Sequence, residues 1–97
     1  MIFYHGTTQE NWDKIQKEGV LFGRRYITDA EGNPIKEVSR CTYLAVDISE
    51  AMCYGDVVLS VEYDPLKNKK ANNYMEGCWQ VRVYEPIPIE KVTEFVA

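Results

Sequence analysis

IFYHGTTQENWDKIQKEG, residues 2–19, changes its periodicity once, and that change decides the fold class. Ile2 to Tyr4 is a short apolar run of strand character that stops at His5-Gly6. Thr7 and Glu10 then stand at capping-box spacing, the pattern in which a hydroxyl accepts from a free amide of the first helical turn and the acid reaches back. The spacing predicts a helix from about Gln9 to Glu18, with Trp12 and Ile15 as its buried stripe. Glu10/Lys14 and Asp13/Lys17 are favourable i,i+4 pairs, and Gly19 falls where a left-handed C-cap is expected.

Further along, Val57, Leu59, Val61 and Tyr63 alternate with Val58, Ser60 and Glu62, the period of two that marks a strand with one strongly apolar face. Asp64-Pro65 ends that strand, and the polar stretch from Leu66 to Asn73 reads as a mobile loop. Between the two halves, the turn-forming cluster from Asp29 to Pro34 separates residues 26–28 from 35–38, which predicts an exposed hairpin or an ordered loop. A strand from Thr42 to Val46 follows, then a short helix from about Ser49 to Tyr54, capped by Asp47 or Ser49 and closed by Gly55. Trp79 to Glu85 and Lys91 to Val96 read as two more strands, separated by Pro86-Ile87-Pro88. This order predicts an α+β fold of two packed, mostly antiparallel sheets with one N-terminal helix and one short middle helix. With 97 residues the chain can bury one core and has no room for a second, so residues 1–97 are expected to form a single domain.

Composition narrows the partners. The formal charge is −4, and the cations are scattered apart from Arg24-Arg25 and Lys67, Lys69 and Lys70, which argues against a contact dominated by phosphate backbone. Cys41, Cys53 and Cys78 are odd in number, lack CxxC spacing and have a single histidine to join them, so no metal site is expected and a reducing compartment fits. The N-terminus has no basic stretch leading into an apolar run, and no apolar segment approaches the roughly 18 residues of a membrane span. The expectation is a cytoplasmic protein without a membrane partner.

Two elements carry chemistry. His5-Gly6-Thr7-Thr8 lies where a strand gives way to a helix: glycine permits close backbone approach to a ligand, and the imidazole can orient a ribose hydroxyl. Tyr43-Leu-Ala-Val-Asp-Ile-Ser49-Glu-Ala51-Met-Cys-Tyr54 is a strand-to-helix unit with a tyrosine at each end. Taken singly, each has a plain alternative, a core or turn histidine and ordinary aromatic packing. Taken jointly, with VRVYEPIPIEKV as a closing strand pair, they make the chain resemble the ADP-ribosyltransferase superfamily, in its poly(ADP-ribose) polymerase and diphtheria-toxin branch. The resemblance spans the chain except for the hairpin region and the loop after Pro65.

The resemblance implies a split β core and NAD as co-substrate. It implies that His5 holds the ribose beside nicotinamide, that the Gly6 backbone binds the carboxamide, and that Thr7 lies near the adenosine ribose. Tyr43 and Tyr54 would flank the nicotinamide ring, with Ala45 leaving room beside it and Ser49 matching the family pattern. A pyridinium stacked on a tyrosine face is favoured in the manner of other cation–π contacts.

Two positions depart from the pattern. Ala51 stands where the family commonly has a small hydroxyl residue, and Gln80 stands where its acidic enzymes have Glu. A carboxylate there would stabilise the oxocarbenium-like state of glycosidic cleavage, and Gln offers a hydrogen bond without charge. The resemblance therefore implies a mono-ADP-ribosyltransferase with His5, Tyr43 and Gln80 as its set, acting on a macromolecular acceptor, protein more than nucleic acid. The alternatives are a module of the same fold that binds an NAD-like nucleotide or a protein partner, and an RNA 2′-phosphotransferase-like protein. Glu76, four residues before Gln80, is a reserve acid, whereas Glu85 is out of phase with Gln80 on a regular strand. Arg24, Arg25 and Arg40 are candidates for phosphate contact against a plainer reading as solvated charge.

Overall fold

A computed structural model describes residues 1–23, 25–39 and 41–96. In chain order the elements are β1 (Ile2–Thr7), α1 (Gln9–Glu18), β2 (Val20–Leu21), β3 (Arg25–Thr28), β4 (Pro34–Ser39), β5 (Thr42–Ala45), α2 (Ile48–Ala51), β6 (Val57–Glu62), β7 (Gln80–Val83), β8 (Ile87–Pro88) and β9 (Val92–Glu94). Short 3-10 turns cover Met52–Tyr54, Lys69–Ala71 and Ile89–Lys91. The main sheet has the order β7-β5-β1-β6-β9, and every pairing in it is antiparallel. β2 pairs with β8, and β3 with β4 as the expected hairpin, on which Ile27 and Ile35 are exposed.

The fold is α+β with mostly antiparallel sheets, as the order of elements predicts. The layer over the main sheet is slighter than a second full sheet. Leu21 of β2, Ile87 of β8 and Trp12 of α1 share one core with Phe3, Leu44, Leu59, Val61, Val81 and Val83. Each such side chain contributes about 1.5–3 kcal/mol of transfer free energy when fully buried. Pro86 and Pro88 have no amide hydrogen to donate, and between them the chain offers β2 a ladder of only two residues.

β1 runs past His5-Gly6 to Thr7, because its pairing with β6 continues from Ile2↔Glu62 to Thr7↔Val57. Thr7 is consequently buried in the sheet, and the helix cap passes to Thr8, whose Oγ1 accepts from the Asn11 amide at 3.2 Å. The expected C-cap forms: Gly19 has φ 77° and donates its amide to the Ile15 carbonyl. Lys14 and Glu10 make the expected surface pair at 3.6 Å, the only ion pair among the described residues, while Asp13 accepts from Gln9 instead of meeting Lys17.

The segment from Leu66 to Asn73, expected to be mobile, is tied down. Asn72 Nδ2 donates to the carbonyls of Pro65 and Asn68 and to the Tyr63 hydroxyl, and Asn72 bridges Val83 of the edge strand β7. Polarity here reflects backbone groups being satisfied by Asn72 and Asn73, which sequence composition does not distinguish from solvation.

Candidate functional site

The main sheet has two faces, and the site lies on the one turned away from the core. Leu44, Val81, Val83 and Phe3 point into the core, so by strand alternation Tyr43, Ala45, Gln80, Arg82, Tyr4 and Gly6 point the other way. The register sets Gln80, Ala45 and Tyr4 side by side across β7, β5 and β1. Ala45 in the middle of that row keeps a gap between two larger side chains.

α2 closes this face. Asp47 caps it by accepting from the Ser49 amide and hydroxyl, and those two bonds hold the Asp47 carboxyl below the usual carboxylate range. Ala51 packs with Ala45 and Val58, joined by Tyr4 and Ile48. The approach requires Gly6: a Cβ built there would lie 1.8 Å from the Ala51 carbonyl oxygen. Tyr54, in the turn after α2, is thereby brought over the sheet, and a cavity of ≈ 330 Å³ remains, lined by Tyr4, His5, Gly6, Tyr43, Ala45, Ala51, Tyr54 and Gln80.

His5 enters this cavity through a parting in the sheet. β1 and β5 share a single register pair, Tyr4↔Ala45, whereas β1 keeps six with β6. In the opening, His5 Nδ1 lies 2.8 Å from the Tyr43 carbonyl oxygen. A carbonyl only accepts, so Nδ1 carries the proton and, in the neutral ring, Nε2 is left as an acceptor. His5 also lines a second cleft of ≈ 550 Å³ beside α1, with Thr7, Asn11, Lys14 and Gly23 among its walls. The imidazole is thus common to both clefts.

Burial lowers the His5 pKa from 6.5, with the Tyr43 carbonyl opposing the shift. The folded chain therefore favours the neutral ring, and this contribution to stability is present above pH 6.5 and lost as pH falls through the lowered folded value. Thermal unfolding followed from about pH 7.5 to about pH 5 is expected to show a decline in midpoint with a component that disappears in His5→Gln, whose amide donates without titrating. An identical decline in the variant would refute this assignment.

Of the residues singled out from sequence, His5, Gly6, Tyr43, Ala45, Tyr54 and Gln80 meet at the cavity, and Thr7 lines the neighbouring cleft. Ser49 is exposed, with its hydroxyl bound to Asp47, and does not line the cavity. Glu76 lies on a separate groove with Leu66 and Met75. Glu85 is engaged elsewhere, accepting from the Tyr63 hydroxyl at 2.9 Å and from Asn68 at 3.0 Å. Arg24 and Arg40 lie outside the described residues, as does the Arg25 side chain. Tyr4 and Arg82 were not singled out, although phase alone points to them: Tyr4 is two residues from Gly6, and Arg82 two from Gln80.

A larger groove of ≈ 600 Å³ lies at the opposite end of the β1–β6 pair, lined by Tyr63, Lys67, Glu85 and Lys91 among others. Its central polar groups already satisfy one another. Burial, with Glu85 beside it, pushes the Tyr63 phenol up to about 12. Among the described residues no three His, Cys, Asp or Glu side chains gather as a metal would need, and no helix is long and apolar enough to cross a membrane. Comparison with known proteins found no matching family model, no similar curated protein and no similar solved structure.

Proposed function

We propose that this chain is an NAD-dependent mono-ADP-ribosyltransferase that modifies a macromolecular acceptor, with His5, Tyr43 and Gln80 as its working set. One observation carries the reading: a cavity of ≈ 330 Å³ walled by tyrosines and a second cleft beside α1 meet at a single histidine. A nicotinamide dinucleotide has this layout, an aromatic amide at one end, a nucleoside at the other, and a ribose and a diphosphate between. In this reading the amide-bearing ring lies between Tyr43 and Tyr54, against the Gly6 backbone, and the His5 Nε2 acceptor receives a ribose hydroxyl. Gln80 supplies a hydrogen bond from the far side of Ala45. The nucleoside half extends past Thr7 toward Asn11 and Lys14.

Incubation with labelled NAD and candidate extracts is the direct test. Label transferred by the wild-type chain is expected to fall by about a hundredfold or more in His5→Ala and Tyr43→Ala, since each removes a group that orients or stacks on the reacting half. Absence of both transfer and nicotinamide release across a broad set of acceptors would end the enzymatic reading. A binding module that holds an NAD-like nucleotide without cleaving it is favoured by a separate observation, that among the described residues no Asp or Glu lines the cavity.

A further inference from the structure

Arg82, which is not among the cavity's lining residues, brings a positive charge up against Tyr43, which is. It is the register partner of Tyr43 across the β5–β7 ladder, and its guanidinium carbon lies 5.9 Å from the centroid of the Tyr43 ring. Its backbone is held in place, since the Arg82 amide donates to Asn73 Oδ1 at 2.6 Å and the Asn73 amide donates back to the Arg82 carbonyl at 3.2 Å. Two residues earlier on the same strand face stands Gln80, which is uncharged, and among the described residues no acid lines the cavity. Among the described residues no carboxylate pairs with Arg82.

Resting on the reading of the cavity as an aromatic-ring site, we infer that Arg82 is a specificity-determining residue that sets the cavity in favour of an uncharged aromatic amide over the same ring bearing a positive charge. The negative face of a tyrosine ring attracts cations. Tyr43 already serves one, and a pyridinium stacked on it would share that ring with a guanidinium. The two like charges repel across an exposed ring, where solvent weakens the opposition without cancelling it, whereas a neutral ring keeps its stacking and meets no such opposition. A carboxylate at position 80 would offset the charge, and Gln80 does not. The consequence for the proposed reaction is that the neutral amide released from NAD competes well with the cationic ring of the incoming dinucleotide.

The test compares two probes of one shape, nicotinamide and its ring-N-methylated cation. Their dissociation constants are measured by calorimetry for the wild-type chain, Arg82→Gln and Arg82→Lys. The extra methyl group is common to all three proteins and cancels when the ratio of the two constants is compared between them. The wild-type preference for the neutral probe is expected to fall about threefold to tenfold in Arg82→Gln and to be largely kept in Arg82→Lys. It should also narrow in the wild-type chain between about 50 mM and about 500 mM salt, because Arg82 is exposed and its charge is screened. An unchanged ratio in Arg82→Gln, or one insensitive to salt should that variant not fold, overturns the role of Arg82 and leaves the ring site standing. If neither probe binds the wild-type chain, the ring site and the inference fall together.

Discussion

Gln80→Glu is expected to raise the rate of nicotinamide release from NAD about a hundredfold, the effect of a few kcal/mol of charge stabilisation in the transition state. The position is prepared for it. Gln80 lies in the same row as Ala45 and Tyr4, on the face that lines the cavity, so a carboxylate there points where Gln80 now points. Glu and Gln have the same shape, and the ladder to Ala45 is made by the backbone. Arg82, two residues along at a Cα separation of about 6.6 Å, favours the ionised form of the new acid. It also loses its own uncompensated charge, so the preference for a neutral ring should weaken in the same variant. Single-turnover release of labelled nicotinamide by wild type, Gln80→Glu and Gln80→Asn is the measurement. A folded Gln80→Glu chain that binds NAD yet releases no more nicotinamide than wild type would favour the binding module over the enzyme.

Gly6→Ala is expected to lower stability by about 3 kcal/mol, with a fall of about 12–24 °C in the thermal midpoint, and to abolish ring binding. The added methyl would meet the Ala51 carbonyl oxygen at 1.8 Å and the Tyr54 Cβ at 3.1 Å, and neither is the free end of a flexible side chain. Relief requires α2 to lift from β1. That movement takes Tyr54 off the cavity, so stability and binding are lost together. Gly32→Ala is a suitable control: its φ of 86° makes alanine strained there, but nothing lies within 4 Å, and the hairpin turn is not part of the cavity. A midpoint for Gly6→Ala close to wild type would show that the sheet and α2 accommodate a side chain between them, contrary to this account.

Local patterns in the sequence carried far where one element satisfied itself. The α1 boundaries, the Gly19 cap, the 26–38 hairpin and the Val57 strand follow from periodicity, capping and turn chemistry, all of which act within a few residues. They failed where a distant partner decided. Thr7 has the spacing of a cap, yet its pairing with Val57 keeps it in the sheet and passes the cap to Thr8. Val20–Leu21 and Ile87–Pro88 are too short to announce themselves and exist only as each other's ladder. Leu66 to Asn73 looks mobile by composition, and the bonds of Asn72, with those that tie Ala71 and Asn73 to Tyr84 and Arg82, turn it into a fixed edge to β7.

The site divides in the same way. Identities and phases were legible along the chain: a histidine before a glycine, two tyrosines around a strand-to-helix unit, a glutamine in phase with an arginine. Sequence by itself determined which groups are present and which face of each strand they occupy, because alternation is a property of a single extended backbone. Only the tertiary structure decided that the seam between β1 and β5 opens at His5, that Gly6 lets α2 settle on the sheet, and that among the described residues no acid lines the cavity. Those outcomes depend on sheet order and on contacts between residues dozens of positions apart, which no local rule encodes.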